Sequence, residues 1–577
     1  PRHAVRPAGP HGGVNLNVLV VTDGTPPVEA IRQELTAEGM PVTVVSLRDH
    51  ARQRITGSFL TRAVPGGKRG GSFDGIVLPG TAPAGLSGAE MSALAAYERT
   101  FGVRQVDAYS PPAASLGMSQ PAYSGRLTGK AFVTAAGASG AFGYLNHSFP
   151  FSGGLAGPAV FGYLAEPLTD VPASAVTPLV TAAIPGTGSS GALVWQYADG
   201  SRQQLGISFG YSKYLAQFHY LAHGIVSWLT RGVSLTGWRS YLDIAFDDML
   251  LGDAQWSTVG HCTPGDTTCP PGTPKTPMIR MTPADVSYAV QWEKRRDFTI
   301  EFLYNGGASQ RFDVNGTDPL LAAVRPVAAD FYWVNHTYTH AYLGCKQNFT
   351  VMPWQCVTQD GKIVWAAGPS LINSQILDNF AWARSNGIPA EPGVVATGEY
   401  SGLKLLPQQP VDNPYLDSAM GQDHIRWIAM DASAEPDMRP VGTAFGVPRR
   451  PIDIGYDVDT VASEVNEFNW YNASKADGGS GQCQQSKVTQ CITPLNSATG
   501  WTSFIVPTQA RIVFNALLDG DPRPVFMHQS NLTGDRIGYP VMDAVLSAYR
   551  AVFNGSAPID NLPMSGDGVA LRDQQLW

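Results

Sequence analysis

The stretch Tyr241-Leu-Asp-Ile-Ala-Phe-Asp-Asp-Met249 constrains this chain more than any other. It opens as an apolar, period-two run, which reads as a buried strand, and it ends in adjacent carboxylates, Asp247 and Asp248. Successive strand side chains point to opposite faces. Both acids can therefore serve one site only if the strand stops there and the turn swings them together. A second ending of this kind follows, where Phe331-Tyr-Trp-Val334 leads into Asn335-His-Thr-Tyr-Thr-His340. Imidazoles at 336 and 340 converge on one ion if the chain turns helically after His336. One carboxylate and two histidines leave coordination positions open to water and substrate.

FDD followed by H-T-x-x-H resembles the NodB-homology polysaccharide deacetylases. The resemblance implies that Asp247 is the general base. It implies that Asp248, His336 and His340 hold Zn²⁺ or another divalent transition metal. Met527-His528-Gln529 matches the family's late hydrophobic–His motif, making His528 the general acid, and Asp431 matches an Asp that orients it. The family's TFDDG reads Ala245-Phe-Asp-Asp-Met249 here, without the Thr and the Gly. In place of its Arg-Pro-Tyr motif stands Gly398-Glu-Tyr-Ser-Gly402. Glu399 and Tyr400 are assigned to substrate binding, and Arg426 or another residue is left to brace Asp247.

The 577 residues exceed a single domain, and 44% apolar content is ample for real cores. Charged residues are only 15%, with 62 Gly and 44 Pro, a loop-rich, secreted-looking profile. Net charge is −8 with no basic stripe, so nucleic acid is not an expected partner. No apolar run reaches the ~18 residues of a membrane span. The chain opens on Pro1 in place of Met, and a leader is expected to have preceded it. All six cysteines follow residue 261 as close pairs: Cys262 and Cys269, Cys345 and Cys356, Cys483 and Cys491. The spacings are not CxxC-like, so local disulfides are favoured over metal binding. Seven N-x-S/T sequons, at Asn146, Asn315, Asn335, Asn348, Asn472, Asn531 and Asn554, add to an expectation of secretion, extracellular or to the cell wall. Asn335, inside the histidine motif, is expected to be unmodified.

In chain order, the Pro/Gly/His-rich residues 1–13 read as disordered or as an extended arm. Residues 14–120 and 202–235 alternate strand and helix as a flavodoxin-like α/β domain. This domain resembles the glutamine-amidotransferase-like group, whose nucleophile is Cys; none occurs in the first 261 residues, so it is read as non-catalytic. In 121–201 short β-type runs alternate with Gly, Pro and Ser, as in an inserted small β-sandwich and candidate carbohydrate-binding module. Its Trp195, Tyr197, Tyr144 and Tyr163 are either sugar-stacking faces or sandwich core. His219 and His223, on a helix spanning about 212–231, lack an acidic partner at a matching position and are read as structural. Residues 236–577 repeat βα units with the chemistry at strand ends, the deformed (β/α)7 barrel of the resembled family.

The whole chain is thus expected to be multidomain α/β. Its layout is similar to the fungal secreted galactosaminogalactan deacetylases of the carbohydrate esterase family 18 type. That implies N-deacetylation of a polysaccharide of N-acetylhexosamine, N-acetylgalactosamine first. An O-acetyl esterase on xylan-like glycans and a non-catalytic glycan-binding protein are the alternatives. Nothing in the sequence implies an oligomer.

Overall fold

The computed structural model describes residues 13–576 apart from 66–67, 266–268 and 271. Of the expected arm, residues 1–12 lie outside the described residues. One unit comprises Pro1–Arg239 with Ser547–Pro558, and the other Ser240–Leu546 with Ile559–Leu576. The expected single run 236–577 is therefore interrupted by a short return to the first unit.

The first unit opens with β1 (Val18–Thr22), α1 (Pro26–Ala37), β2 (Val42–Ser46), β3 (Gly75–Leu78), α2 (Gly88–Phe101) and β4 (Arg104–Asp107). The four strands are mutually parallel, as strand–helix alternation requires. There follow β5 (Tyr123–Leu127), β6 (Lys130–Val133), β7 (Ser148–Pro150), β8 (Val160–Leu164), β9 (Val176–Ala183), β10 (Ser190–Asp199), β11 (Arg202–Ile207) and α3 (Ala216–Thr230). Nine strands share one sheet in the order β2-β1-β3-β4-β11-β10-β9-β6-β7. Two β layers exist in the 121–201 segment, but one is an antiparallel continuation of the α/β sheet and the other only the β5–β8 ribbon. The module boundary expected near 202 is absent from the sheet, because β11 pairs with β4 on one side and β10 on the other.

Trp195 is 0% exposed, packs among Leu116, Met118 and Val176, and donates its indole N–H to the Leu116 carbonyl at 3.3 Å. The space it fills exists because its cross-strand partner is Gly206; a Cβ there would lie 2.5 Å from the indole. Trp195 is core and cannot stack on a sugar. Tyr144 is buried too, its hydroxyl donating to the Tyr220 carbonyl at 2.7 Å. The α3 histidines do have an acidic neighbour, contrary to expectation. His223 Nδ1 lies 3.1 Å from both carboxylate oxygens of Glu38, the residue capping α1.

The second unit is a closed barrel of seven parallel strands: β12 (Ile244–Met249), β13 (Glu301–Tyr304), β14 (Tyr332–Asn335), β15 (Val394–Val395), β16 (Trp427–Asp431), β17 (Ala444–Pro451) and β18 (Val525–His528). The order is β16-β15-β14-β13-β12-β18-β17, and β17 pairs with β16 to close it. Small and branched side chains, among them Ala245, Val334, Ala429 and Val447, pack inside. Helices α4 (Pro283–Arg296), α5 (Pro369–Asn386), α6 (Pro414–Gln422) and α7 (Val461–Asn472) fall between strands. α4 begins at Thr282 with a capping box to Asp285, and Pro283 occupies its first turn.

Strand β17 was not legible in the sequence. Gly446, Pro448 and Pro451 look like breakers, and Pro in a strand interior usually argues against one. Parallel pairing to β16 from Trp427↔Phe445 through Asp431↔Arg449 overrides that propensity. The cysteine pairs form the local disulfides 262–269, 345–356 and 483–491. Among the described residues no helix is long and apolar enough to cross a membrane.

Candidate metal centre

Both aspartates of the FDD motif are buried, at 5% and 6% exposure, although they are adjacent in a strand. The reason is a bulge. Phe246 pairs with Phe302, yet Met249, three residues on, pairs with Tyr304, two residues on. One extra residue on β12 is absorbed by Asp248 at φ 67°, a left-handed conformation that breaks the two-sided alternation.

The histidine turn converges by a related device and not by a helix. Thr337 (φ 66°) and His340 (φ 58°) are left-handed. A buried amide network holds the turn. Asn305 Nδ2 donates to the carbonyls of His336 and Thr337 at 2.6 and 2.9 Å. Asn335 Oδ1 accepts from Thr337 N and from Asn379 Nδ2. Asn335 is 0% exposed and spends its own Nδ2 on the Ile376 carbonyl, which leaves that sequon no room for a glycan. Gly398 completes the cradle, since a Cβ there would lie 2.6 Å from the His340 ring.

The outcome is that His336 Nε2 and His340 Nε2 lie 3.4 and 3.3 Å from Asp248 Oδ1. His336 Nδ1 is 3.1 Å from the Ala396 carbonyl. Donation there fixes the tautomer that turns the Nε2 lone pair to Asp248. Asp248 Oδ1 is buried and takes no hydrogen bond. The three ligand atoms lie within 4.8 Å of one another, and among the described residues no other three His, Cys, Asp or Glu are so placed. An orphaned carboxylate oxygen facing two imidazole lone pairs fits a divalent ion. Burial alone would raise the Asp248 carboxyl; positive charge on the imidazoles of His340 and His336 holds it well below the usual carboxylate range, a part that a bound cation would take over when the lone pairs turn to it.

Asp247 is gripped separately. Arg449 of β17, 1% exposed, donates from Nη1 and Nη2 to its two oxygens at 2.7 and 2.8 Å. Burial would raise this carboxyl as well, and the Arg449 guanidinium reverses the shift, keeping it low. Tyr400 hydroxyl lies 3.0 Å from Arg449 Nη2, and Phe526 lies under the guanidinium at 4.4 Å. His528 comes from β18, in register with Asp247, and its Nε2 is 4.0 Å from Asp248 Oδ2. Burial pushes its imidazole toward the neutral form, against the pull of Asp248 and Asp247.

No family model matches the chain, and no curated protein matches it by sequence. Solved structures do. Agd3, described as a novel carbohydrate deacetylase, superposes with a TM-score of 0.71 at 15% identity, over 98% of this chain and 88% of that one. This chain has the fold of a carbohydrate deacetylase. A family 4 carbohydrate esterase from Streptomyces lividans (12% identity, 55% of this chain and 92% of that one, TM-score 0.24) also matches. So does a family 4 acetyl xylan esterase from Clostridium thermocellum solved with a cobalt ion (9%, 57% and 91%, TM-score 0.26).

Asp431 does not meet His528. Its Oδ1 accepts from Ser433 N at 2.8 Å and from Ser433 Oγ, so it caps its own turn, and no hydrogen bond or ion pair joins it to His528 among the described residues. With Glu399 and Tyr400 it lines a cavity of about 220 Å³ on the Tyr400 side of the site. Both Glu399 (φ 54°) and Tyr400 (φ 52°) are left-handed, a strained pair that turns the Tyr400 hydroxyl to Arg449. The brace of Asp247 is Arg449 and not Arg426. Its one sequence signal was an Arg in an apolar stretch, which demands a buried carboxylate partner.

Proposed function

We propose that this chain is a metal-dependent polysaccharide deacetylase that hydrolyses the acetamide of N-acetylhexosamine residues, N-acetylgalactosamine first. The observation that carries the reading is the pair of adjacent aspartates with opposite surroundings: Asp248 beside two imidazoles, Asp247 clamped by a guanidinium. That division suits one carboxylate to hold an ion and the other to move a proton. A divalent ion held by Asp248, His336 and His340 would supply Lewis acidity, polarising the acetamide carbonyl and acidifying water. Asp247, kept ionised and in a fixed orientation by Arg449, accepts the proton of the attacking water. His528, across the site, when protonated with the support of Asp248 and Asp247, gives that proton to the amine nitrogen as the C–N bond breaks, without which an amide does not cleave. Acetate and a free amine result. Three disulfides support secretion, which would put the enzyme among extracellular or cell-wall glycans.

The test is acetate and free amine released from N-acetylgalactosamine, N-acetylglucosamine and O-acetylated xylan polymers, with and without chelator. Chelator-sensitive amine release from the first is the expected result. Acetate without amine would instead make the protein an esterase, and no acetate from any polymer would leave a glycan-binding protein.

A further inference from the structure

Beside the metal centre, on the side of His528, lies a cavity of about 570 Å³ that the reaction just described does not use. It is roomy enough for a sugar residue, since ligand pockets run from about 300 Å³ upward. His528 forms part of its wall, and the half-exposed rings of Tyr456 and Tyr471 flank it. Its distinguishing feature is charge. Asp453, Glu464 and Glu467 line it, and among its described lining residues there is no Lys or Arg.

The fold satisfies these carboxyls only in part. Glu464 is 2% exposed, and its Oε2 accepts a hydrogen bond from Gly455 N at 3.0 Å. Glu467 Oε2 is buried and takes none, while the Glu467 carboxyl shares a hydrogen bond with its acidic neighbour Asp457. Burial and the neighbouring acids push the Glu464 carboxyl up to about 8 and that of Glu467 to about 10. Elsewhere in this unit Asp243, Glu301 and Asp567 form another buried group with no arginine ion pair among the described residues, while some acids are neutralised by arginine, as Asp412 and Glu435 are by Arg439. Here the protein provides no such partner. Carboxyls held neutral in this way ionise when a cation with N–H donors comes beside them, and a primary ammonium on a sugar ring is a compact one.

We propose that this cavity is a subsite for a hexosamine residue already carrying a free amine, next to the residue whose acetamide faces His528. The proposal rests on the deacetylase reading above and gives it a direction. The product of one turnover becomes the favoured neighbour for the next, so free amines accumulate in runs along the polymer.

Calorimetry on the wild-type, metal-loaded protein tests it without any variant. A galactosamine tetramer is expected to bind about tenfold tighter than its fully N-acetylated counterpart, a difference of about 1.4 kcal/mol. The Glu464→Gln, Glu467→Gln double variant should bring that ratio close to one, and Asp453→Asn should lower it if the double variant does not fold. Equal affinity of the wild type for the two tetramers overturns the subsite, as does a ratio that survives in a folded variant. Acetate release from the acetylated tetramer is followed in parallel. Its absence would sink the deacetylase reading, while the binding ratio still judges the cavity.

Discussion

The molecule holds two histidine pairs with the same i, i+4 spacing, and they behave differently. His219 and His223 sit on the regular helix α3. There His219 Nε2 lies 2.6 Å from the Lys213 carbonyl and His223 Nδ1 meets Glu38, while the His223 ring stacks on Trp238. These nitrogens are committed to partners within their own unit. His336 and His340 sit on a strained turn at a strand end, and both Nε2 atoms face one orphaned carboxylate oxygen. A carboxylate beside an imidazole occurs in both places. Only where backbone strain collects the free lone pairs around one point does the arrangement fit an ion.

The sharpest way to break this comparison is to exchange the losses. His336→Ala or Asp248→Ala should abolish acetate release and remove the bound ion, measured by elemental analysis of the purified protein. Replacing His219 and His223 with Ala should leave the ion in place. An ion lost with α3 and retained without His336 would reverse the assignment.

Next in size is Asp247→Asn. It should keep the ion and lose about 10²–10⁴-fold in turnover, the contribution of a well-placed general base. Loss of the ion would mean that Asp247 and Asp248 have each other's roles. Arg449→Lys follows, because an ammonium cannot reproduce two parallel bonds to a carboxylate. Turnover should fall roughly 10–100-fold with the ion still bound, the usual range for residues that orient a metal site. Removing the charge altogether, as in Arg449→Met, should destabilise the barrel by about 3–5 kcal/mol, since Asp247 would be left buried and unpaired.

The smallest effect belongs to the first unit. Burial pushes the Glu38 carboxyl from 4.5 up to about 8. The folded protein therefore holds a proton there that the unfolded chain has released above its ordinary value. Stability from this group is present below about 4.5 and is lost as pH rises toward about 8. Wild-type melting temperature should fall across that window. Glu38→Gln, which cannot titrate, should reduce the fall by roughly 2–4 °C in thermal melts at both ends. An unchanged slope would show that Glu38 is solvated.

The sequence by itself determined the strand that ends in Asp247 and Asp248, the order of the histidine and late His528 motifs, the barrel's repeated βα units and the three local disulfides. Each is a local signal: an alternation, a short spacing or a capping residue, carried by neighbours in the chain. Tertiary structure decided the rest, because it depends on groups that meet only after folding. Arg449 stands 202 residues from the carboxylate it braces and lies on a strand that its prolines disguise. The bulge at Asp248 is visible only against β13, and the space for Trp195 only against Gly206 on the next strand. Glu38 reaches His223 from 185 residues away. Local sequence sets which way a side chain alternates, but burial sets what it must then find as a partner, and that partner is supplied by packing.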